Sequence, residues 1–333
     1  MNKASRLLAS LLTLALIAVL PLGVAAKDKP KEITVAYFPE WPTANQVAQA
    51  EKWYDVETGV EFNWRKFNSG VEMAAAMASG DVQISYSMGI IPFMVAVSGG
   101  AALKAVGIPV SYAENDNCVV HYKAAIDKAN AHELEGKKIA VPLGTVTHYK
   151  LLRTLESLAV DTGKLQLIDM VSAEGAKALE RGDVTMACGW GGALRRMKGH
   201  GRVLMTAREQ AKIGIRVFDV IAVTNELAEQ HPDLVTAFLQ VSDRAADYLD
   251  DHPDAAKPVI AKAAGLSLKD SNIILSLFQF YTRSAQISQT WLGGGAQRFT
   301  KEVADFYVRQ GAMPKALDDY SPTFDVSFYE KVR

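Results

Sequence analysis

Short runs of β-branched and apolar residues alternate with stretches whose apolar positions recur at helical spacing. Residues 33–37 (Ile-Thr-Val-Ala-Tyr) predict a strand, 45–54 a helix and 60–64 a second strand. Residues 71–78 predict a helix with Val71, Ala75 and Ala78 on one face. Gly80 suits the left-handed position past its end, and 82–85 predict another strand. The same order returns about a hundred residues later: strand 138–141, helix 147–158, strand 165–170, helix 176–181, strand 184–187. The punctuation repeats with it. Ser79-Gly80-Asp81-Val82 echoes Arg181-Gly182-Asp183-Val184, and Gly89 and Gly191 each lie eight residues past the matching aspartate. Elements in register together with these marks predict two similar α/β lobes.

The first residues stand apart from this pattern. Lys3 and Arg6 precede an almost wholly apolar run, and Val24-Ala25-Ala26 puts small residues before Lys27. Residues 1–26 thus predict a cleaved secretory signal peptide, and the mature chain is expected in the periplasm. Later stretches fall short of the ~20 apolar residues of a membrane span. Charge is nearly balanced, with 36 Lys plus Arg against 37 Asp plus Glu, so nucleic acid is not an expected partner. The two cysteines, Cys118 and Cys188, are too few for a thiolate zinc site or an iron–sulfur cluster. In an oxidising compartment they either pair or remain two small buried side chains. No metal or cofactor is expected.

Ligands of open α/β sheets sit beyond the carboxyl ends of the strands. In the first lobe those ends lead into Phe38, Glu40 and Trp41, and into Met88, Gly89 and Ile90. In the second they lead into Gly144, Thr145, Val146 and Thr147, and into Trp190. Facing lobes would bring these loops to one cleft, the arrangement of a binding protein that closes by hinge motion. Gly144 and Thr145 precede a helix start whose free N–H groups favour a carboxylate or sulfonate. The plainer alternative makes Thr145 an N-cap. His148 reads as a structural residue.

Particular residues also carry a family resemblance. Val47-Ala48-Gln49-Ala50, Phe62 to Gly70, Ala78 to Ile84, Gly136 to Pro142, Thr147-His148-Tyr149, Phe218-Asp219-Val220, Glu229 to Pro232 and Asp319-Tyr320-Ser321 resemble the periplasmic solute-binding family for taurine, sulfonates and nitrate. The match runs in one order over nearly the whole mature chain. It implies a type II periplasmic binding fold, two α/β lobes with a ligand cleft between them, and no chemistry on the ligand. It also implies delivery to an ABC permease in the inner membrane by a monomer. One lobe would hold 27–117 and 218–333, the other 118–217, with crossings near Cys118 and near 217–220. Amphipathic segments 232–249 and 297–310 would pack on the first lobe.

The ligand implied is a small zwitterion, taurine or a related amino- or onium-alkyl sulfonate or carboxylate. Asp219 matches the family's acidic position in the returning strand and is the favoured partner for a cation. Its alternative is a hinge hydrogen bond. Glu40 and Asp116 are further candidates, Asp116 with the option of a solvated turn in Glu114-Asn115-Asp116-Asn117. Asn117 at the first crossing joins the ligand-binding set. Phe38, Trp41, Tyr86, Trp190 and Phe218 gather near the same loops, and rings favour a cation over their faces. Gly89-Ile90-Ile91-Pro92 departs from a family Gly-Ser-Ser-Pro turn, and Gly191-Gly192 replaces Ala-Pro. Both changes predict a roomier, less polar pocket suited to a methylated onium acid such as a betaine or dimethylsulfoniopropionate. Two other roles fit the fold: a sensory binding protein for a membrane receptor, and a thiamine-pyrimidine synthase. The second is disfavoured, because its cysteine-rich iron motif is absent.

Overall fold

The computed structural model describes residues 28–332. The leader expected at 1–26 lies outside the described residues.

Among the described residues, ten strands form two five-stranded sheets. The first contains β1 (Glu32–Tyr37), β2 (Glu61–Lys66), β3 (Ile84–Gly89), β4 (Leu103–Gly107) and β10 (Asp219–Thr224), in the order β2-β1-β3-β10-β4. The second contains β5 (Asp116–His121), β6 (Lys138–Val141), β7 (Gln166–Asp169), β8 (Met186–Trp190) and β9 (Gly201–Val203), in the order β7-β6-β8-β5-β9. In each sheet the first three strands are parallel and the fourth is antiparallel to both neighbours. That antiparallel strand is the one exchanged between lobes. β5 follows β4 in the chain yet joins the second sheet, and β10 follows β9 yet joins the first. Asp116 and Asn117, expected in the first lobe, therefore stand in the second sheet.

Side-chain alternation splits the core of the second lobe between its two faces. Val120, Ile139, Val141, Met186 and Cys188 pack on one side with Leu151 and Leu155. Val119, Ala140 and Ala187 pack on the other with Leu179 and Met197. Cys118 and Cys188 are directly opposite in the β5–β8 register and form a disulfide, with their Cα atoms 3.9 Å apart. The link joins two strands of one sheet rather than the two lobes.

Some elements differ from their expected bounds for local reasons. The stretch 45–54 is two short helices, Gln46–Ala50 and Trp53–Thr58, because Lys52 takes a left-handed conformation at φ +55°. The expected helix 176–181 begins earlier, giving Ser172–Arg181, and ends on left-handed Gly182. The helix Gly295–Arg309 reaches both lobes. Its Phe299, Phe306 and Tyr307 share a buried cluster with Val146, Tyr149 and Leu152 of the second-lobe helix Val146–Ser157. The Tyr307 hydroxyl donates to the Thr145 carbonyl at 3.2 Å, so the two lobes meet there.

Candidate functional site

A chamber between the lobes is lined by Phe38, Trp41, Gly70, Gly89, Pro92, Tyr112 and Asp219 of the first-lobe side. Asp116, Thr145, Val146, Thr147 and Trp190 line it from the second. It opens about 30 Å³ to the centre of a water-sized sphere.

Two carboxylates enter it from opposite lobes. Asp219 opens β10, where its main-chain N–H donates to the Val110 carbonyl at 3.0 Å. Its Oδ1 accepts from the Tyr112 hydroxyl at 2.6 Å and its Oδ2 from the Ser87 hydroxyl. The Trp41 indole N–H in turn donates to Ser87 Oγ at 3.1 Å. Ser87 holds this place with φ +79°, a conformation that L residues rarely adopt and that costs energy. Asp116 opens β5 on the other side. Its Oδ2 accepts from the Thr147 hydroxyl at 2.7 Å, while its Oδ1 is buried with no partner. Lys150, itself buried, donates to the carbonyls of Ala113 and Asp116 and so pins the turn between Tyr112 and Asp116. Burial pushes Asp219 up to about 7 and Asp116 to about 6. The same cause pulls Lys150 down to about 8.

The chamber lining carries these two acids and no basic side chain. At the start of helix Val146–Ser157, the N–H groups of Val146 and Thr147 have no intrahelical acceptor. The hydroxyls beside them are already engaged. Thr145 caps the helix, accepting from the His148 N–H at 3.3 Å and donating to the Pro142 carbonyl at 2.6 Å. Burial lowers His148 to about 4, so it is neutral at physiological pH. Its Nδ1 accepts from the Gly144 N–H at 3.4 Å.

Phe38, Trp41, Gly89, Asp116, Thr145, Val146, Thr147, Trp190 and Asp219 are thus brought together, and the remaining expected residues are not. Met88 and Ile90 are buried in the first-lobe core. Phe218 is fully buried against Trp291 and Phe299, at 5.1 and 5.7 Å between ring centroids. Tyr86 packs on Phe238. The Asn117 side chain is consumed inside the second lobe: it donates to the Met205 carbonyl and accepts from Cys118 N–H and Gln210. Gly144 turns the chain at φ +70° outside the chamber. Glu40 sits at the rim, ion-paired with Arg196 of the other lobe at 3.1 Å.

Both reasons for expecting a roomier, less polar pocket are corrected. Ile90 and Ile91 start a helix that turns them into the core, so Gly89 and Pro92 face the ligand space instead. The space over Gly191-Gly192 is already filled by the first lobe. A Cβ on Gly191 would fall 2.8 Å from the Glu40 carbonyl oxygen, and one on Gly192 2.4 Å from the Glu40 carboxylate. Gly70, Pro92 and Tyr112 were not anticipated, and Asp116 is a buried strand residue rather than a solvated turn.

The chain and its fold have known counterparts. The E. coli K12 taurine-binding periplasmic protein is 31% identical over 302 residues, covering 90% of this chain and 92% of its own length. A putative aliphatic sulfonates-binding protein of Bacillus subtilis is 24% identical over 277 residues, covering 82% and 80%. The alkanesulfonate-binding protein SsuA from Xanthomonas axonopodis pv. citri, bound to MOPS, superimposes with a TM-score of 0.74. That match has 19% identity and covers 89% of this chain and 99% of the other. Residues 43–256 match the model of the family described as NMT1/THI5 like. The chain belongs to that NMT1/THI5-like family, and it resembles the taurine-binding periplasmic protein over nearly its whole length.

Proposed function

We propose that this protein is the periplasmic solute-binding component of an ABC importer, and that its ligand is a small zwitterion with an N–H-bearing ammonium, taurine or a close relative. The observation that carries this reading is the pair of buried carboxylates, Asp219 and Asp116, in a chamber with no basic side chain. A plain anion entering such a chamber meets like charge, whereas a cation is attracted by both acids. The unpartnered Asp116 Oδ1 favours a donor, which a primary ammonium supplies and a quaternary one does not. Phe38, Trp41, Tyr112 and Trp190 surround the acids and favour a cation further. The anionic end then meets the free N–H groups of Val146 and Thr147. Ligand contacts to both lobes that are made only in the closed form set the balance between open and closed. The names of the matched relatives are those of binding proteins, which supports transport rather than catalysis.

The aromatic lining gives a second reading some support, a methylated onium acid of the betaine type. Titration calorimetry separates the two. Taurine is expected to bind more tightly than glycine betaine, and ethanesulfonate and nitrate more weakly than either. Nitrate or ethanesulfonate binding as tightly as taurine would remove the zwitterion from the reading.

A further inference from the structure

The two acids of the chamber stand on strands of opposite sheets and are almost wholly buried, Asp219 at 2% and Asp116 at 1% exposure. The chamber lining brings no positive side chain to them. Tyr112 and Ser87 donate to Asp219 and Thr147 donates to Asp116 Oδ2, while Asp116 Oδ1 is left bare. A hydroxyl accepts as readily as it donates, so Ser87 accommodates a proton on Asp219 Oδ2 without rebuilding the site. Two buried charges of one sign on a single space repel, and protons relieve that in the empty chamber. Burial accordingly raises Asp219 to about 7 and Asp116 to about 6. The titratable groups acting on the pair from other elements are Tyr86 of β3, Tyr112, Tyr307 of helix Gly295–Arg309 and Lys150 of helix Val146–Ser157. Burial raises the tyrosines, which stay neutral near pH 7. Lys150, on which Glu114 and Lys198 also act, is lowered only to about 8, and its ammonium is spent on the Ala113 and Asp116 carbonyls. His148, next to Thr147 in sequence, is already neutral.

We propose that the ligand's ammonium enters in exchange for a proton: the zwitterion expels a proton from the Asp116–Asp219 pair into solvent, so that affinity falls as the surroundings acidify. This rests on the zwitterion reading above. A positive nitrogen and a proton answer the same need, a counter-charge for two acids that find none in the lining. They therefore compete for the chamber. The empty pair holds more protons than the occupied pair, and linkage makes the effect mutual: what the ligand does to the protons, the protons do to the ligand. Lowering the pH thus favours the empty form. An anion without an ammonium has the opposite sign. It adds like charge, and its entry draws protons onto the pair.

The test is titration calorimetry on the mature protein with taurine, at pH 6.5 in two buffers of different ionisation enthalpy and then from pH 5.5 to pH 7. An alkylammonium and a sulfonate keep their charges over that range. Taurine is expected to release roughly half a proton to one and a half protons at pH 6.5, and to bind roughly tenfold or more weakly at pH 5.5 than at pH 7. Ethanesulfonate is expected to move the other way, taking up a proton and gaining affinity toward pH 5.5. Asp116→Asn removes one titrating group and keeps an oxygen for Thr147, so it is expected to release less and to flatten the pH profile severalfold. Carbon-13 NMR of the carboxyl groups reads the exchange without any variant: Asp219 is expected to titrate near neutrality in the empty protein and not with saturating taurine. Taurine that binds with the same heat in both buffers and the same affinity at both ends of the range overturns the proposal. An equal loss in acid for ethanesulfonate overturns it too, by placing the titration outside the pair. Failure of taurine to bind at any pH overturns the underlying zwitterion reading instead.

Discussion

The Tyr112 hydroxyl donates to Asp219 Oδ1 at 2.6 Å, tying a residue of the first crossing to the opening residue of the returning strand. The bond orients the carboxylate, but burial still dominates its proton affinity and raises it to about 7. Between the ordinary 3.8 and about 7 the folded empty protein therefore holds more protons than the unfolded chain. Stability from this group is fully present below the ordinary value and declines as pH rises through the folded one. Asp219→Asn removes the buried charge and retains a carbonyl for Tyr112. At pH 8 it is expected to stabilise the empty protein by roughly 1–3 kcal/mol, with less effect at pH 5. The same change is expected to abolish most zwitterion binding. Thermal unfolding at both pH values checks the first expectation, and calorimetry checks the second. An empty variant that melts lower than wild type at pH 8 would show the carboxylate to be a structural tie instead.

Glu40 and Asp219 are both acids of the cleft, and their surroundings predict opposite importance. The Glu40 side chain is 39% exposed and paired with Arg196, itself 51% exposed. Exposed pairs of this kind contribute roughly 0–1 kcal/mol. Glu40→Gln is therefore expected to change taurine affinity by less than about fivefold, with the loss shrinking as salt rises. A loss comparable to that of Asp219→Asn would place Glu40 on the ligand.

The Cys118–Cys188 link lies two positions along β5 and β8 from the Asp116–Trp190 pair that lines the chamber. Its sequence separation is 70 residues, a long loop to leave open in the unfolded chain. Replacing both cysteines with alanine is expected to cost roughly 2–4 kcal/mol, read as a lower unfolding midpoint. Because the fixed register presents Asp116 and Trp190 together, affinity is expected to fall as well, well below the melting range. Full affinity in a destabilised double variant would separate the link from the site.

The order of elements was legible because strands and helices write their periods into the chain locally. Asp219 was reachable through the residues around it, Phe218 and Val220, which resemble the family. Asp116 was not. Glu-Asn-Asp-Asn has the composition of a solvated turn, and its burial comes from β5 crossing into the second sheet between β8 and β9. Tyr112 leaves no local signal either, since its role depends on Asp219, more than a hundred residues away. Ile90 and Ile91 misled for a related reason: their position in a loop sequence does not say which way the following helix turns them.

Gly191 gives the same lesson in reverse and makes the sharpest test of closure. Absence of a side chain beside Trp190 suggested room for a ligand, yet the occupant is the first lobe's own backbone. Gly191 takes φ +53°, where any Cβ is strained, and that Cβ would meet the Glu40 carbonyl at 2.8 Å and Trp41 Cε3 at 3.3 Å. A backbone carbonyl cannot swing aside as the Glu40 carboxylate can at Gly192. Gly191→Ala is thus expected to hold the lobes apart and to weaken taurine by roughly tenfold or more. Gly192→Ala, which meets only the flexible ends of Glu40 and Arg196, is expected to cost less than about threefold. Small-angle scattering with saturating taurine should show Gly191→Ala more expanded than wild type. Equal compaction of the two, with equal affinity, would mean that the lobes close on some other seat.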